Sequence, residues 1–377
     1  MIRTRSCAIP CLAIALLLAG GVARADERIE RTLSHEESLA AGTSLKIENL
    51  LGSVTVTPGR KGTPLLVEAR VVVEADDVEQ AEALADSFTL DRRGDEAAAE
   101  LFVHYPVDRH ASFRLPRSEK DGLLSKWVMP LVRKDLVSLH YDDRMVEVGG
   151  GKGAAAVTVY LDVTLPLDVD LSVRQYVGAI RCAGLRGNLD LEIVQGEALA
   201  EQIYGSLRAR TGGGEIQVWK FNGDSFDLQT GSGAIELSDV RAQRLQLHTG
   251  SGTIQGSGIS ATALLIESDS GSVKLDGVEP GAFAVKTDSG NVDFESPLTR
   301  TREGSIETSS GDVMLRVGPF APFDLLTRTD SQVKMLGGLE IEQVGDDEEG
   351  VRYRRRNGGI DLRITAGGKG KVTVRPM

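Results

Sequence analysis

The sequence predicts an all-β protein, a parallel β-solenoid of β-helix or β-roll type, and three observations carry that prediction. First, Gly-x-(Ile/Val) recurs at Gly214, Gly233, Gly252, Gly271 and Gly290, with starts 19 residues apart each time. Second, each unit alternates apolar and polar residues with period two, as in Ile235-Glu236-Leu237 and Leu245-Gln246-Leu247, which is the signature of strands. Third, the chain has 43 glycines but only 5% aromatic residues, a composition suited to many tight turns. A unit of this size cannot bury its apolar face alone. Stacking equivalent strands in parallel, about 4.8 Å apart, gives a continuous core.

The elements follow in chain order. Arg3 and Arg5 precede the apolar run Ala8 to Ala19, and Ala23-Arg24-Ala25 is a small-x-small site, so residues 1–25 read as a cleavable export signal. The run is shorter than the roughly 20 residues a membrane helix needs, and no later segment reads as a span. Cleavage near Ala25 removes Cys7 and Cys11, leaving Cys182 with no intramolecular disulfide partner. It also removes Arg3, Arg5 and Arg24, taking the formal charge from −12 to −15. An exported chain this acidic is expected in the periplasm or at the cell surface, and it is a poor non-specific binder of nucleic acid.

Residues 26–170 read as a β-rich N-terminal elaboration. Leu45 to Val54 and Leu171 to Ile180 fit the coil template, with strands expected at Leu65–Glu74, Glu100–His104 and Ala156–Leu165. Asp76-Asp77 ahead of Ala81, Leu84 and Ala85 predicts a short capped helix. The stretch 104–150 departs from the repeat. Leu123, Leu124, Trp127, Val128, Leu131, Val132, Leu136 and Leu139 recur at helical spacing, with Pro130 set to break or kink the helix. Its positive charges, Arg109, Arg114, Arg117, Lys120, Lys126, Arg133 and Lys134, face only Glu119 and Asp121 between residues 109 and 134. Together with Trp127 these are the candidate partner-docking residues. The alternative is that the stripe simply packs on the solenoid.

The repetitive solenoid is expected over 171–336. Looser coils at Gly178 and Gly196 lead in, while Gly311 and Ser331-Gln332-Val333 lead out. One file before the glycine turn reads Thr211, Thr230, Thr249, Ser268, Thr287, Thr308, Thr329, hydroxyls suited to bonding the turn backbone. The preceding file, Glu267, Lys286, Glu307, Arg328, predicts cross-strand pairing of opposite charges. Residues 337–377 read as a β cap, with Leu339–Val344 and Val351–Arg356 around an acidic turn. A final coil is expected from Ile360–Ile364 and Lys371–Val374.

Catalytic and cofactor chemistry finds little support. Gly149-Gly150-Gly151-Lys152-Gly153 lacks the spacing and following Ser/Thr of a phosphate loop. The histidines His35, His104, His110, His140 and His248 are scattered without ligand spacing. Asp269, Asp288 and Asp330 share a column that invites calcium, yet Asp is also a favoured turn residue. No catalytic, cofactor-binding or metal residue is assigned, and no cofactor is expected.

Leu45-x-Ile47-x-Asn49-x-x-Gly52-x-Val54, together with the Thr-Gly-Ser-Gly-x-Ile and Ser-Asp-Ser-Gly-x-Val series, resembles the putative adhesin family of bacterial envelope proteins. The resemblance covers most of residues 40–375 and departs at 104–150. It implies a repetitive β-solenoid in an exported or membrane-attached protein and brings no catalytic residues with it. The expected function is a non-catalytic envelope or surface binding module engaging a polymer or protein partner. Its alternatives are a carbohydrate-active enzyme on a β-helix and an envelope-stress accessory protein.

Overall fold

A computed structural model of the chain describes residues 27–116, 137–149, 153–331 and 333–377. Successive coils of the repeat pair in parallel. Ile216, Ile235, Ile254, Val273, Val292 and Val313 form one buried file, each the register partner of the next. A second buried file runs Phe226, Leu245, Leu264, Phe283. At the next rung it meets Gly304, where the Phe283 ring occupies the space a side chain would need, and it resumes with Leu362 and Leu325. Each coil therefore presents two sheets to a shared core. The first contains segments such as Ala263–Ser268 and the second segments such as Ile254–Ser257.

The repeated glycine has a steric cause. A Cβ at Gly252 would lie 1.6 Å from the carbonyl oxygen of Gly233, and one at Gly271 would lie 1.7 Å from that of Gly252. The same conflict recurs down the file from Gly52 to Gly311, so coils stack at strand spacing there only if the position lacks a side chain. The Thr/Ser file then fixes the turn. The hydroxyls of Thr230, Thr249, Ser268, Thr287 and Thr308 each accept from the glycine N–H three residues on, at 2.8–3.0 Å. Those of Thr230, Thr249, Thr287 and Thr308 also donate to a glycine carbonyl of the preceding coil, at 3.0–3.4 Å. Ser268 instead donates within its own turn, to Gly271 O at 3.1 Å.

Another corner of the coil is turned by one left-handed residue per repeat: Gln202, Lys220, Asp239, Gly258, Gly277 and Leu298, with φ between 55° and 62°. The chain spends a glycine on only two of these six.

At the N-terminal end, Ser44–Pro58 acts as the first coil and pairs in parallel with Asp170–Ala183. Beyond it the two sheets diverge. The first continues through Ala98–His104 and then antiparallel Thr89–Gly94. The second continues through Ala155–Leu165, then antiparallel Leu65–Ala75 and Glu27–Glu37. That outermost strand is dense in Arg and Glu, which discourages edge-to-edge association. The single helix among the described residues, Val78–Asp86, starts where expected, the Asp77 carboxylate accepting from Gln80 N–H at 2.8 Å.

The described ends of the 104–150 stretch are strands, not helix. Val137–Tyr141 and Arg144–Val148 form a hairpin over Asp142 and Asp143, both left-handed. Leu139, read as part of a helical stripe, is a buried strand residue. Leu123 to Leu136 lie outside the described residues.

The C-terminal end departs from chain order. Asp361–Ala366 lies between Glu303–Thr308 and Phe323–Thr329, parallel to both. Likewise Val372–Pro376 lies between Val313–Val317 and Lys334–Met335. The coil that is last in sequence is thus second to last in space. The stack closes with Phe323–Thr329 and the hairpin Glu342–Asp347/Gly350–Arg355, which runs antiparallel to it. Thr365 consequently separates Glu307 from Arg328, and Ala366 separates Thr308 from Thr329. The expected Glu307–Arg328 contact does not form because the inserted coil occupies the rung between them.

Candidate functional site

The outer face of the first sheet carries three concavities in a row. One, of about 620 Å³, runs from Ser44 to Gln246; the next, of about 460 Å³, runs from Arg244 to Arg363. The third, of about 370 Å³, runs on to Arg354 and shares Asp361 and Arg363 with the second. Neighbours share residues, so the three form one shallow trough along the stacking direction.

Its floor is the outward file Arg208, Asp227, Gln246, Leu265, Ala284, Ser305, Arg363. One rim is the file Ser225, Arg244, Ala263, Ala282, Glu303, Asp361. Side chains two apart on a strand point to one face, which is why these two files share it. The middle, Ala263, Leu265, Ala282 and Ala284, is uncharged and, Leu265 apart, small. Toward the Ser44 end, charged groups have partners: Arg208 lies 3.4 Å from Asp227, and the Asp170 carboxylate accepts from the neutral Asn188 amide at 3.0 Å. The upper file runs Glu192, Arg210, Gln229, His248, Glu267, Lys286, Glu307, so its charges alternate in sign wherever they are adjacent. Acidic and basic groups are thus interspersed along this face of an acidic molecule.

The inserted coil brings together acids that the sequence holds far apart. Glu303, Asp361 and Asp324 are consecutive register partners on one rim, with Arg354 Nε 2.6 Å from Asp324. Chain order hides this cluster. Only knowing that residues 361–366 insert beside 303–308 could have revealed it.

On the outer face of the second sheet, Gln217 Nε2 donates to Glu215 at 2.7 Å and to Glu236 at 3.4 Å. Burial first, and then the Glu215 carboxylate, raise the Glu236 carboxyl above its usual range. Burial also raises Glu197, against the opposing pull of Arg181 at 3.4 Å. Farther along, Arg316 Nη2 lies 2.8 Å from both Asp276 and Asp293, and Nη1 lies 2.5 Å from Glu295. These contacts leave Glu215, Glu236 and Asp293 half-buried where full exposure is expected from alternation alone, while Lys274 is exposed. Long side chains lie flat across neighbouring coils and cover one another.

Of the candidate docking residues, Arg109 and Arg114 both line a cavity of about 710 Å³ beside the helix. Glu74 and Asp76 line it too, so the positive charge is partly balanced. Burial, and then the Arg109 charge, push the neighbouring His110 below its usual range. Arg117, Lys120, Lys126, Trp127, Arg133 and Lys134 lie outside the described residues.

Asp269 and Asp288 are exposed neighbours in the turn column, but Ser309 follows Asp288 on the next rung and the inserted coil follows that, so two rungs lie between Asp288 and Asp330. Among the described residues no group of three or more His, Cys, Asp or Glu is placed to hold a metal ion. Cys182 is buried, and that burial raises its thiol to about 12, which makes it a core residue and a poor nucleophile. Among the described residues no helix is long and apolar enough to cross a membrane.

A sequence profile of the Toastrack DUF4097 family matches residues 163–367, which hold most of the stacked coils. The chain belongs to the Toastrack family. This match bears out the β-solenoid expectation and the resemblance to adhesin-type repeats of unknown function. Two solved structures also align. One is a putative cell adhesion protein from Clostridium sporogenes, at 11% identity and TM-score 0.19, covering 93% of this chain and 100% of that one. The other is a putative adhesin from Bacteroides fragilis, at 10% identity and TM-score 0.30, covering 95% of this chain and 100% of that one. No curated protein matches the chain.

Proposed function

We propose that this Toastrack protein is an exported, non-catalytic binding module that holds an extended partner, a polymer or a protein segment, along the outer face of its first sheet. The observation that carries this reading is the trough. It is continuous over the stacked coils, small-sided in the middle and lined elsewhere by interspersed acidic and basic groups, and its strands repeat about every 4.8 Å. The strand spacing repeats at each rung while the side chains change, so a linear partner can make many weak contacts that add along its length. The basic stretch from Arg109 to Lys134 is proposed as a second contact, to an anionic envelope component. Arg109 and Arg114 mark its described end.

The test is capture from a cell-envelope extract on immobilised protein. Ala284→Trp, which fills the middle of the trough, should abolish capture, while Gln255→Arg on the second sheet should leave it intact. Salt should weaken only the part owed to the basic stretch, since exposed charges are screened within about 10 Å at 0.1 M. Capture that survives Ala284→Trp unchanged would refute the trough as the binding face. Recovery of a membrane regulator would favour the envelope-stress reading.

The register pairing of Glu303 and Asp361 is the observation that favours one rival, a carbohydrate-active enzyme, because glycosidases work with two carboxyl groups on one groove. That rival requires soluble sugar product, lost in both Glu303→Gln and Asp361→Asn. The binding module requires bound polymer with no product.

A further inference from the structure

We infer that the C-terminal coil, residues 361–376, can be exchanged between two copies of the chain, each copy's coil filling the slot of the other. The inference starts from threading. The coils up to residues 303–317 each stack next to the coil before them in sequence, so each is laid down as the chain passes. This coil instead enters a slot whose two walls, residues 303–317 and 323–335, precede it in the chain. Its inward residues Leu362, Ile364, Ala366, Val372 and Val374 are buried, so the coil carries the core through the slot it fills.

The walls also fit each other. In the register set by the repeat, Thr327 meets Ile306, Arg328 meets Glu307 and Thr329 meets Thr308, and this is the pairing that the sequence alone predicts. With the coil withdrawn, the slot therefore has a closed alternative with matched hydroxyls and opposite charges. Withdrawal does not have to leave two bare sheet edges, which would be costly.

The connection is short and turns sharply, held to the wall by the Gly359 N–H donating to Asp324 at 3.2 Å. The hairpin before it is anchored, because Arg355 is buried and its guanidinium donates to the carbonyls of Gly318 and Ala321 at 3.1 and 2.8 Å. Between that anchor and the coil lie Arg356-Asn357-Gly358-Gly359-Ile360. Positive φ at Arg356, Gly358 and Gly359 makes a tight reversal there. Opening this reversal carries the coil away from its own slot without disturbing the hairpin. Exchange then reproduces the contacts of the coil itself between two chains, with only those of the opened reversal lost, the condition under which swapped dimers form at low cost. Dilution favours the monomer, because the tethered coil is at high effective concentration.

Ser305 and Arg363 are register partners on the outer face, across the seam between slot and coil. Neighbouring strands bring their Cα atoms within the roughly 4.4–6.8 Å that a disulfide spans. In a Cys7→Ser/Cys11→Ser background, Ser305→Cys and Arg363→Cys chains are mixed, unfolded in urea, refolded together at high concentration and oxidised. The double variant in one chain serves as the placement control and should cross-link internally. The mixture should yield a disulfide-linked heterodimer several-fold above either homodimer, rising with the protein concentration during refolding. A heterodimer no more abundant than the homodimers, while the double variant links internally, overturns exchange. Failure of the double variant to link removes the coil from the slot and overturns it as well.

Discussion

Substitution of Gly252 by alanine tests the packing logic at its tightest point. The new Cβ would sit 1.6 Å from Gly233 O and 2.3 Å from its carbonyl carbon, both backbone atoms that cannot rotate away. The coils must separate locally, and the bonds most exposed to that movement are Gly252 N–H to Thr249 Oγ1 at 3.0 Å and Thr249 Oγ1 to Gly233 O at 3.2 Å. Overpacking costs about 1–3 kcal/mol and each weakened hydrogen bond about 1 kcal/mol, giving about 3–5 kcal/mol in all. Gly277→Ala is the matched control. Its Cβ meets nothing within 4 Å, and only the left-handed φ of 62° opposes it, at about 1–2 kcal/mol. Urea unfolding followed by far-UV circular dichroism gives both values from midpoint shifts at constant slope. Equal losses for the two variants would refute close approach as the reason for the repeated glycine.

Other outcomes follow from the same structure. Ile254→Ala should cost about 2–5 kcal/mol and Glu267→Ala under about 1 kcal/mol by the same urea assay, since one is buried and the other exposed. Lys220→Gly should stabilise by up to about 1 kcal/mol by relieving a left-handed non-glycine corner, whereas Leu298→Gly should lose stability because that side chain is buried. Arg316→Met should lower the melting temperature more at low salt than at high salt, because it leaves Asp276, Asp293 and Glu295 repelling one another. Glu236 has a folded pKa raised above its unfolded value, so its favourable contribution is present at low pH and is lost as pH rises through the folded value. Glu236→Gln should therefore gain melting temperature relative to the parent as pH rises from below 4.5 toward neutrality, and a gain confined to acid pH would contradict the assignment.

The solenoid was legible in the sequence because its determinants are local and repeated. Gly214 to Gly290 report a close approach that every coil makes, and Thr230 to Thr308 report the hydroxyl that satisfies each turn. Asp77 was legible as a cap for the same reason. The order of the last coils was not. Leu362, Ile364 and Ala366 fit beside Gly304, Ile306 and Thr308 as well as Leu325, Thr327 and Thr329 do, because repeats are interchangeable by construction. The Glu303–Asp361 adjacency and the separation of Arg328 from Glu307 follow from that order and were hidden with it. The trough was hidden for a different reason. It is lined by outward residues, Arg244, Ala263, Ala284 and Ser305 among them, which share no type, and their common face emerges only from register. Leu139 was misread because helical spacing extends by chance into a hairpin whose turn, Asp142-Asp143, is its own signal.

Site-specific protection tests the proposed binding face most directly. Single cysteines at Ala284, on the trough floor, and at Gln255, outward on the second sheet, are labelled with a maleimide in the presence and absence of captured envelope partner. The account predicts that the partner slows labelling at position 284 and leaves position 255 unchanged; equal rates at 284 with and without partner, or protection at 255 alone, would contradict it.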